Sequence, residues 1–269
     1  DELMDILDIS EYTSYKIVQR MKTMNVFLKH IYEYEQKGIR IITKYDEEYP
    51  QILSKKMKKN APTCLFVVGN LPVEFEGISL TGLQTVTKKE KGCIKRLVDK
   101  INNENKWLIS NDCKGVDQEA FQYALHHHGH IISFLCEKME DKAMEYKRYI
   151  RSGNLVLLSA IDPIKRFTVT HAIDRNSYVC GLSKFQVVVS SKINSGATWF
   201  TIMHNMHHNW TISLVIDNDC FGNQRLLEMK TTPLYVKNIV SDMSFEMIYN
   251  ENKKEEVEEE INIDQMSIF

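Results

Sequence analysis

From about residue 62 onward the chain alternates short apolar runs with polar stretches long enough to be helices. This pattern constrains the fold more than any other feature. The runs are "CLFVVG", "ISLTG", "WLIS", "HIISFL", "NLVLLSA", "FQVVVSS" and "TISLVID". They are rich in β-branched and aromatic residues and carry no charge inside the apolar stretch, as suits strands buried on both faces. Helix-length separators between such strands point to parallel crossovers. The expected fold is therefore α/β, a Rossmann-like doubly wound and mostly parallel sheet.

Ahead of that series lies a helical N-terminal region, expected over residues 1–36. Leu3, Ile6 and Ile9, then Ile17, Met21, Met24, Leu28 and Ile31, recur at spacings of three and four, the signature of short amphipathic helices. The sheet domain is expected over 37–240, and an acidic flexible tail over 241–269. The last nineteen residues hold seven acids and two lysines, leaving 32 bases against 29 acids in the remainder of a chain whose net charge is -2. Two basic clusters, "KKMKK" and "KKEKGCIKR", lie in that remainder and suit either a solvated face or a phosphate-binding one. Six singly scattered cysteines give neither a disulfide framework nor a zinc knuckle. With no membrane-length apolar stretch and a charged opening unlike a signal peptide, a cytoplasmic protein without a membrane partner is expected.

In a doubly wound sheet, ligands sit at the carboxyl ends of the strands, where backbone N–H groups and helix N-termini favour anions. Three junctions matter for that reason. Gly82 follows "ISLT". The turn Asn111 to Gly115 follows "WLIS" and leads into a helix from about Val116 to His127. Ser195 and Gly196 precede a helix after "VVVSS". A glycine in any one of these turns is explained equally well by turn geometry.

In this order the turns resemble the DprA/Smf family of DNA-processing proteins, from about Gly38 to Asp217. "GIRIITKYDEEYPQIL" and "APTCLFVVGN" are similar to the family's lead into its Rossmann-like domain. "ISNDCKGVDQEAFQYALHHHGHIISFL" resembles its Ser-Gly-x-Ala-x-Gly-Ile-Asp turn, helix and next strand. "FTVTHAIDRNSYVCGLS" resembles Phe-Pro-x-Arg-Asn-Arg, and "SGATWFT" resembles Ser-Gly-x-x-x-Thr. The resemblance implies single-stranded DNA binding, assistance to a RecA-type recombinase in recombination, repair or genome defence, and a homodimer. It places Gly82, Ser110, Lys114, Gly115, Arg175, Asn176, Ser195, Gly196 and Thr201 in the DNA- or phosphate-binding turns. Lys114 and Arg175 suit charge neutralisation, Asn176 orientation, and the short side chains hydrogen bonding at a helix start. Asp117, in the first turn of its helix, is expected to cap free N–H groups or pair with a base.

The sequence departs from the family pattern at several points. Leu83 and Gln84 stand where the family has Ser-Arg, Ser177 replaces the second arginine of Arg-Asn-Arg, and Ser190 or Ser191 takes the place of an acid. In the opening turn, Asn111 and Cys113 replace a glycine and an alanine. These changes describe a divergent relative with a weakened anion site. Two further functions attach to the same superfamily: a sensor of a nucleotide-derived signal, and an N-glycosidic phosphoribohydrolase. Hydrolysis needs a carboxylate near the ribose, so the serines at 190 and 191 argue against it, unless Asp112 or Asp117 substitutes. The expectation is a noncatalytic protein with no catalytic residue, no cofactor and no metal.

The histidine clusters "HHHGH" and "HNMHH" lack a nearby carboxylate and sit at helix ends, where a histidine favours the helix dipole. Trp107, Phe167, Tyr178, Trp199 and Trp210 are candidates for base stacking, with Trp199 foremost among the tryptophans. The tail ends "DQMSIF", in which Gln265, Met266, Ile268 and Phe269 resemble the peptide that docks bacterial replication proteins on the sliding clamp.

Overall fold

The computed structural model describes residues 8–253 together with Met4 and Ile6. The chain forms two compact units, residues 1–41 and 42–269. The first contains α1 (Glu11–Met21) and α2 (Met24–Gln36). Ser10 starts α1 by accepting a hydrogen bond from the Thr13 N–H at 3.3 Å. The helices form as the periodicity predicts, but their apolar residues stay largely outside: Met21, Met24, Leu28 and Ile31 are all exposed. A unit of this size cannot bury two full apolar faces within itself.

Strand β1 (Arg40–Thr43) spans the boundary between the units, and α3 (Gln51–Met57) joins it to β2 (Cys64–Val68) in the sheet of the second. There follow β3 (Gly77–Thr81), α4 (Lys88–Asn103), β4 (Trp107–Ser110), α5 (Val116–His126) and β5 (His130–Leu135). The short helices α6 (Met139–Glu145) and α7 (Lys147–Arg151) lead to β6 (Leu155–Ser159). The second half runs α8 (Val169–Leu182), β7 (Ser183–Val188), α9 (Gly196–His208), β8 (Ile212–Ile216), α10 (Phe221–Glu228), β9 (Thr232–Leu234) and α11 (Val236–Ile239).

The strand order is β1-β2-β6-β5-β4-β3-β7-β8-β9 among the described residues. Strands β3 to β9 all pair in parallel, and β2 runs antiparallel to β6. From β3 the chain moves outward through β4, β5 and β6, then returns to β7 on the other side of β3 and moves outward again. Right-handed crossovers in opposite directions put the following helices on opposite faces. A crevice therefore opens above the carboxyl ends of β3 and β7. The apolar runs supply the interior: Ile109, Ile132, Phe134, Val156 and Leu158 form one side's core with Leu53, Met57 and Val179. Thr87 and Glu90 close a capping box at the start of α4, and Thr168 caps α8 through the His171 N–H.

Part of the segment expected as an acidic tail from residue 241 is folded against the sheet. Residues 245–253 are helical, here α12, and Phe245 and Ile248 are fully buried. Phe245 and Tyr249 pack on Phe185 of β7, with centroids 6.3 and 6.0 Å apart. The Phe245 N–H donates to Glu104 Oε1 at 3.1 Å, Lys184 pairs with Glu246 at 2.9 Å, and Asn252 Nδ2 donates to the Pro233 carbonyl at 2.6 Å. An aromatic pair beside polar anchors outweighs the acidic composition of this segment.

Candidate functional site

The crevice is a cleft of about 470 Å³ lined by four segments. The first is the turn after β3, residues 81–85. Its Gly82 sits against Val116, where a Cβ would lie 2.4 Å from Val116 Cγ2, so only glycine permits this approach. The Gly82 carbonyl accepts a hydrogen bond from Thr198 Oγ1 at 2.8 Å, and the Leu83 N–H donates to Ser190 Oγ at 3.3 Å. The turn after β3 is thus tied to the ends of β7 and α9.

The second segment is the turn Asn111 to Gly115, which Asp117 holds from behind. Its Oδ1 accepts from Ser110 Oγ at 2.8 Å and from the Cys113 N–H at 3.1 Å, and its Oδ2 accepts from the Asn111 N–H at 3.2 Å. Burial pushes the Asp117 carboxyl up to about 6, against the pull of these donors and of Arg175. Asp112 takes a left-handed conformation and turns away, its carboxylate 2.7 Å from Lys142 Nζ on α6. Gly115, at φ +109°, lies under the next turn, and Val116 N–H donates to the Leu83 carbonyl at 3.2 Å.

The remaining segments are α8 and the start of α9. Asn176 Oδ1 accepts from Asn111 Nδ2 at 3.0 Å and Arg175 Nη2 at 3.1 Å, while its Nδ2 donates to Thr201 Oγ1 at 3.3 Å. Arg175 also donates from Nη1 to Cys136 Sγ at 3.3 Å. The first turn of α9 has no side-chain cap, so its N-terminal end faces the cleft with the partial positive charge of the helix dipole. Among the described residues, three cations, Lys114, Arg175 and Lys192, line the cleft against one carboxylate, Asp117. Such a balance favours an anion.

Of the residues expected to bind phosphate, Gly82, Lys114, Arg175, Asn176, Ser195, Gly196 and Thr201 do line this cleft. Two do not. Ser110 is buried, with its hydroxyl spent on Asp117 and on the Asp112 N–H, and Gly115 packs beneath the backbone of Leu83 and Gln84. Asp117 caps free N–H groups as expected, but those of the preceding turn and not those of its own helix. Lys192 and Thr198 were not anticipated. Lys192 was legible from its place just past "VVVSS", at the carboxyl end of a strand.

A family model described as DNA recombination-mediator protein A matches residues 40–244. The chain belongs to this family. No curated protein matches it. Among solved structures, DNA processing protein A (DprA) from Streptococcus pneumoniae superposes with a TM-score of 0.66 at 20% identity, over 79% of this chain and 78% of that one. A DNA processing protein A from Helicobacter pylori, reported for its single-stranded DNA binding mode, gives 0.61 at 18% identity, over 76% of this chain and 94% of that one. These likenesses show the shared Rossmann-like fold.

In this family member most of the aromatic candidates are turned inward. Trp199 is 5% exposed and packs with Val188, Ile202, Val215 and Leu226, because its helical phase points it at the sheet. Trp210 is equally buried and stacks on His208 at 4.4 Å, Trp107 lies against His130 at 4.9 Å, and Tyr178 against Phe134 at 5.2 Å. Phe167 is exposed. His126 and His127 donate from Nδ1 to the Gln122 and Tyr123 carbonyls, and no group of three metal-ligating side chains occurs among the described residues. No described helix is long and apolar enough to cross a membrane. Gln265, Met266, Ile268 and Phe269 lie outside the described residues.

Proposed function

We propose that this protein is a noncatalytic single-stranded DNA-binding factor of recombination, and that the cleft above β3 and β7 is its phosphate-binding site. The observation that carries this reading is the convergence of Lys114, Arg175, Lys192 and the uncapped end of α9 on one cleft, where Asn176 ties Asn111, Arg175 and Thr201 together. Family membership and the strand-binding H. pylori relative point the same way. Phosphates fix a strand in place without reading its sequence.

Hydrolysis of an N-glycosidic bond is disfavoured by what Asp117 is doing. It is the one carboxylate lining the cleft among the described residues, and both its oxygens accept from the Ser110, Asn111 and Cys113 donors. A carboxylate that braces a turn through three donors is oriented by that turn and not by a substrate water. The recombinase, the second copy of the chain and the sliding clamp are the partners this reading assigns outside the cleft, the last through Gln265 to Phe269.

Fluorescence anisotropy with oligo-dT of several lengths at two salt concentrations tests the reading. Lys114 and Lys192 are both exposed, so alanine at either should leave the fold intact. Each replacement is expected to weaken binding and to lower the slope of log K against log salt by about 0.7, the value for one lost phosphate contact on a single strand. Unchanged affinity and slope in the double variant would remove the cleft from the binding site.

A further inference from the structure

We infer that Phe200 and Ile173 form an apolar lip at the mouth of the cleft that holds a nucleobase, so that the site selects unpaired bases as well as phosphates. The inference rests on the DNA-binding reading above. It begins with the relation of α8 and α9. The contacts Asn176 to Thr201 at 3.3 Å and Ser177 to His204 at 3.3 Å advance together along both helices, so the two run parallel. Helix α8 ends where β7 begins and α9 starts past the end of β7, which puts both N-termini at the carboxyl rim.

One turn before Asn176 and Ser177 on α8 is Ile173, and its level on α9 is that of Ala197 and Phe200. Ala197 and Thr201 line the cleft, and Phe200 lies between them in sequence, rotated to their flank. Phe200 is 61% exposed and Ile173 is 55% exposed. Two large apolar side chains left in water beside a polar, cationic cleft suit an occupant with an apolar face and an attached anion. A nucleotide within a single strand has that composition: its phosphate suits Lys114, Arg175 and Lys192, and its base suits the lip. A base inside a duplex presents no free face.

The probes are oligo-dT and an abasic strand of the same length and charge, titrated against the full chain and the variants Phe200→Ala and Phe200→Trp. Wild type is expected to bind oligo-dT at least about five-fold more tightly than the abasic strand, the low end of stacking on one aromatic ring. Phe200→Ala should lose that preference while keeping its affinity for the abasic strand. Phe200→Trp should restore the preference, and its indole fluorescence should be quenched by oligo-dT. If wild type binds oligo-dT and Phe200→Ala binds it equally well, the lip is not a base platform. A Phe200→Ala variant that changes only the sedimentation of the protein would likewise overturn the inference and make the lip a contact between copies. Failure of wild type to bind either strand would instead remove the DNA-binding reading, and the lip's role with it.

Discussion

Gly115→Ala is expected to cost about 3 kcal/mol or more of stability and to abolish a well-formed cleft, through strain and collision together. Gly115 holds φ at +109°, a region that L side chains rarely adopt, and this alone costs about 1–3 kcal/mol. An added Cβ would also lie 2.2 Å from the Leu83 carbonyl oxygen and 2.5 Å from Gln84 Cα. Both are backbone atoms, so relief requires the two cleft turns to separate, at a further cost of about 1–3 kcal/mol. Separation breaks the bond from Val116 N–H to the Leu83 carbonyl and moves Lys114 away from Gln84. Urea denaturation measures the stability, and oligonucleotide anisotropy of the folded fraction measures the cleft. A variant as stable and as active as wild type would show that the two turns need not touch.

Phe245→Ala tests a different part of the structure, the docking of α12 on the sheet. The ring is fully buried against Phe185, with Lys100 Nζ 5.8 Å from its centre. Removing it should cost about 3–5 kcal/mol, as for other buried phenylalanines. In a unit of this size that lowers the melting temperature by roughly 10 °C. The loss should be cooperative, because Glu104, Lys184 and Asn252 hold the same helix to α4, β7 and β9. Calorimetry would show a single transition at lower temperature. A melting temperature within a degree or two of wild type would mean that α12 is dispensable.

The sheet was legible because β2 through β8 are buried on both faces, and such strands announce themselves as uninterrupted apolar runs. The cleft was legible because turns at strand ends hold glycine and small polar residues. What escaped depended on tertiary phase. Trp199 and Phe200 are neighbours, and composition favours the tryptophan as a platform, yet the packing of α9 buries one and exposes the other. Helix α12 was hidden by the acids around it, since the charge run beginning at Glu251 masks the apolar contribution of Phe245, Ile248 and Tyr249. Ser110 looked like a phosphate ligand because the family resemblance places it in a binding turn, but its hydroxyl is needed by Asp117. No local pattern distinguishes a serine that faces a ligand from one that faces a carboxylate one turn further on.

The central claim is that a single strand of DNA lies in the cleft at the carboxyl ends of β3 and β7. Photocrosslinking of the full chain to oligo-dT carrying 4-thiothymidine, followed by mass-spectrometric mapping, tests it most directly. Adducts are predicted within residues 81–85, 111–114, 173–176 and 192–201, and they should fall together when Lys114 and Lys192 are both replaced by alanine. Adducts concentrated instead at the amino ends of the strands, around Trp107 and His130, would contradict the account.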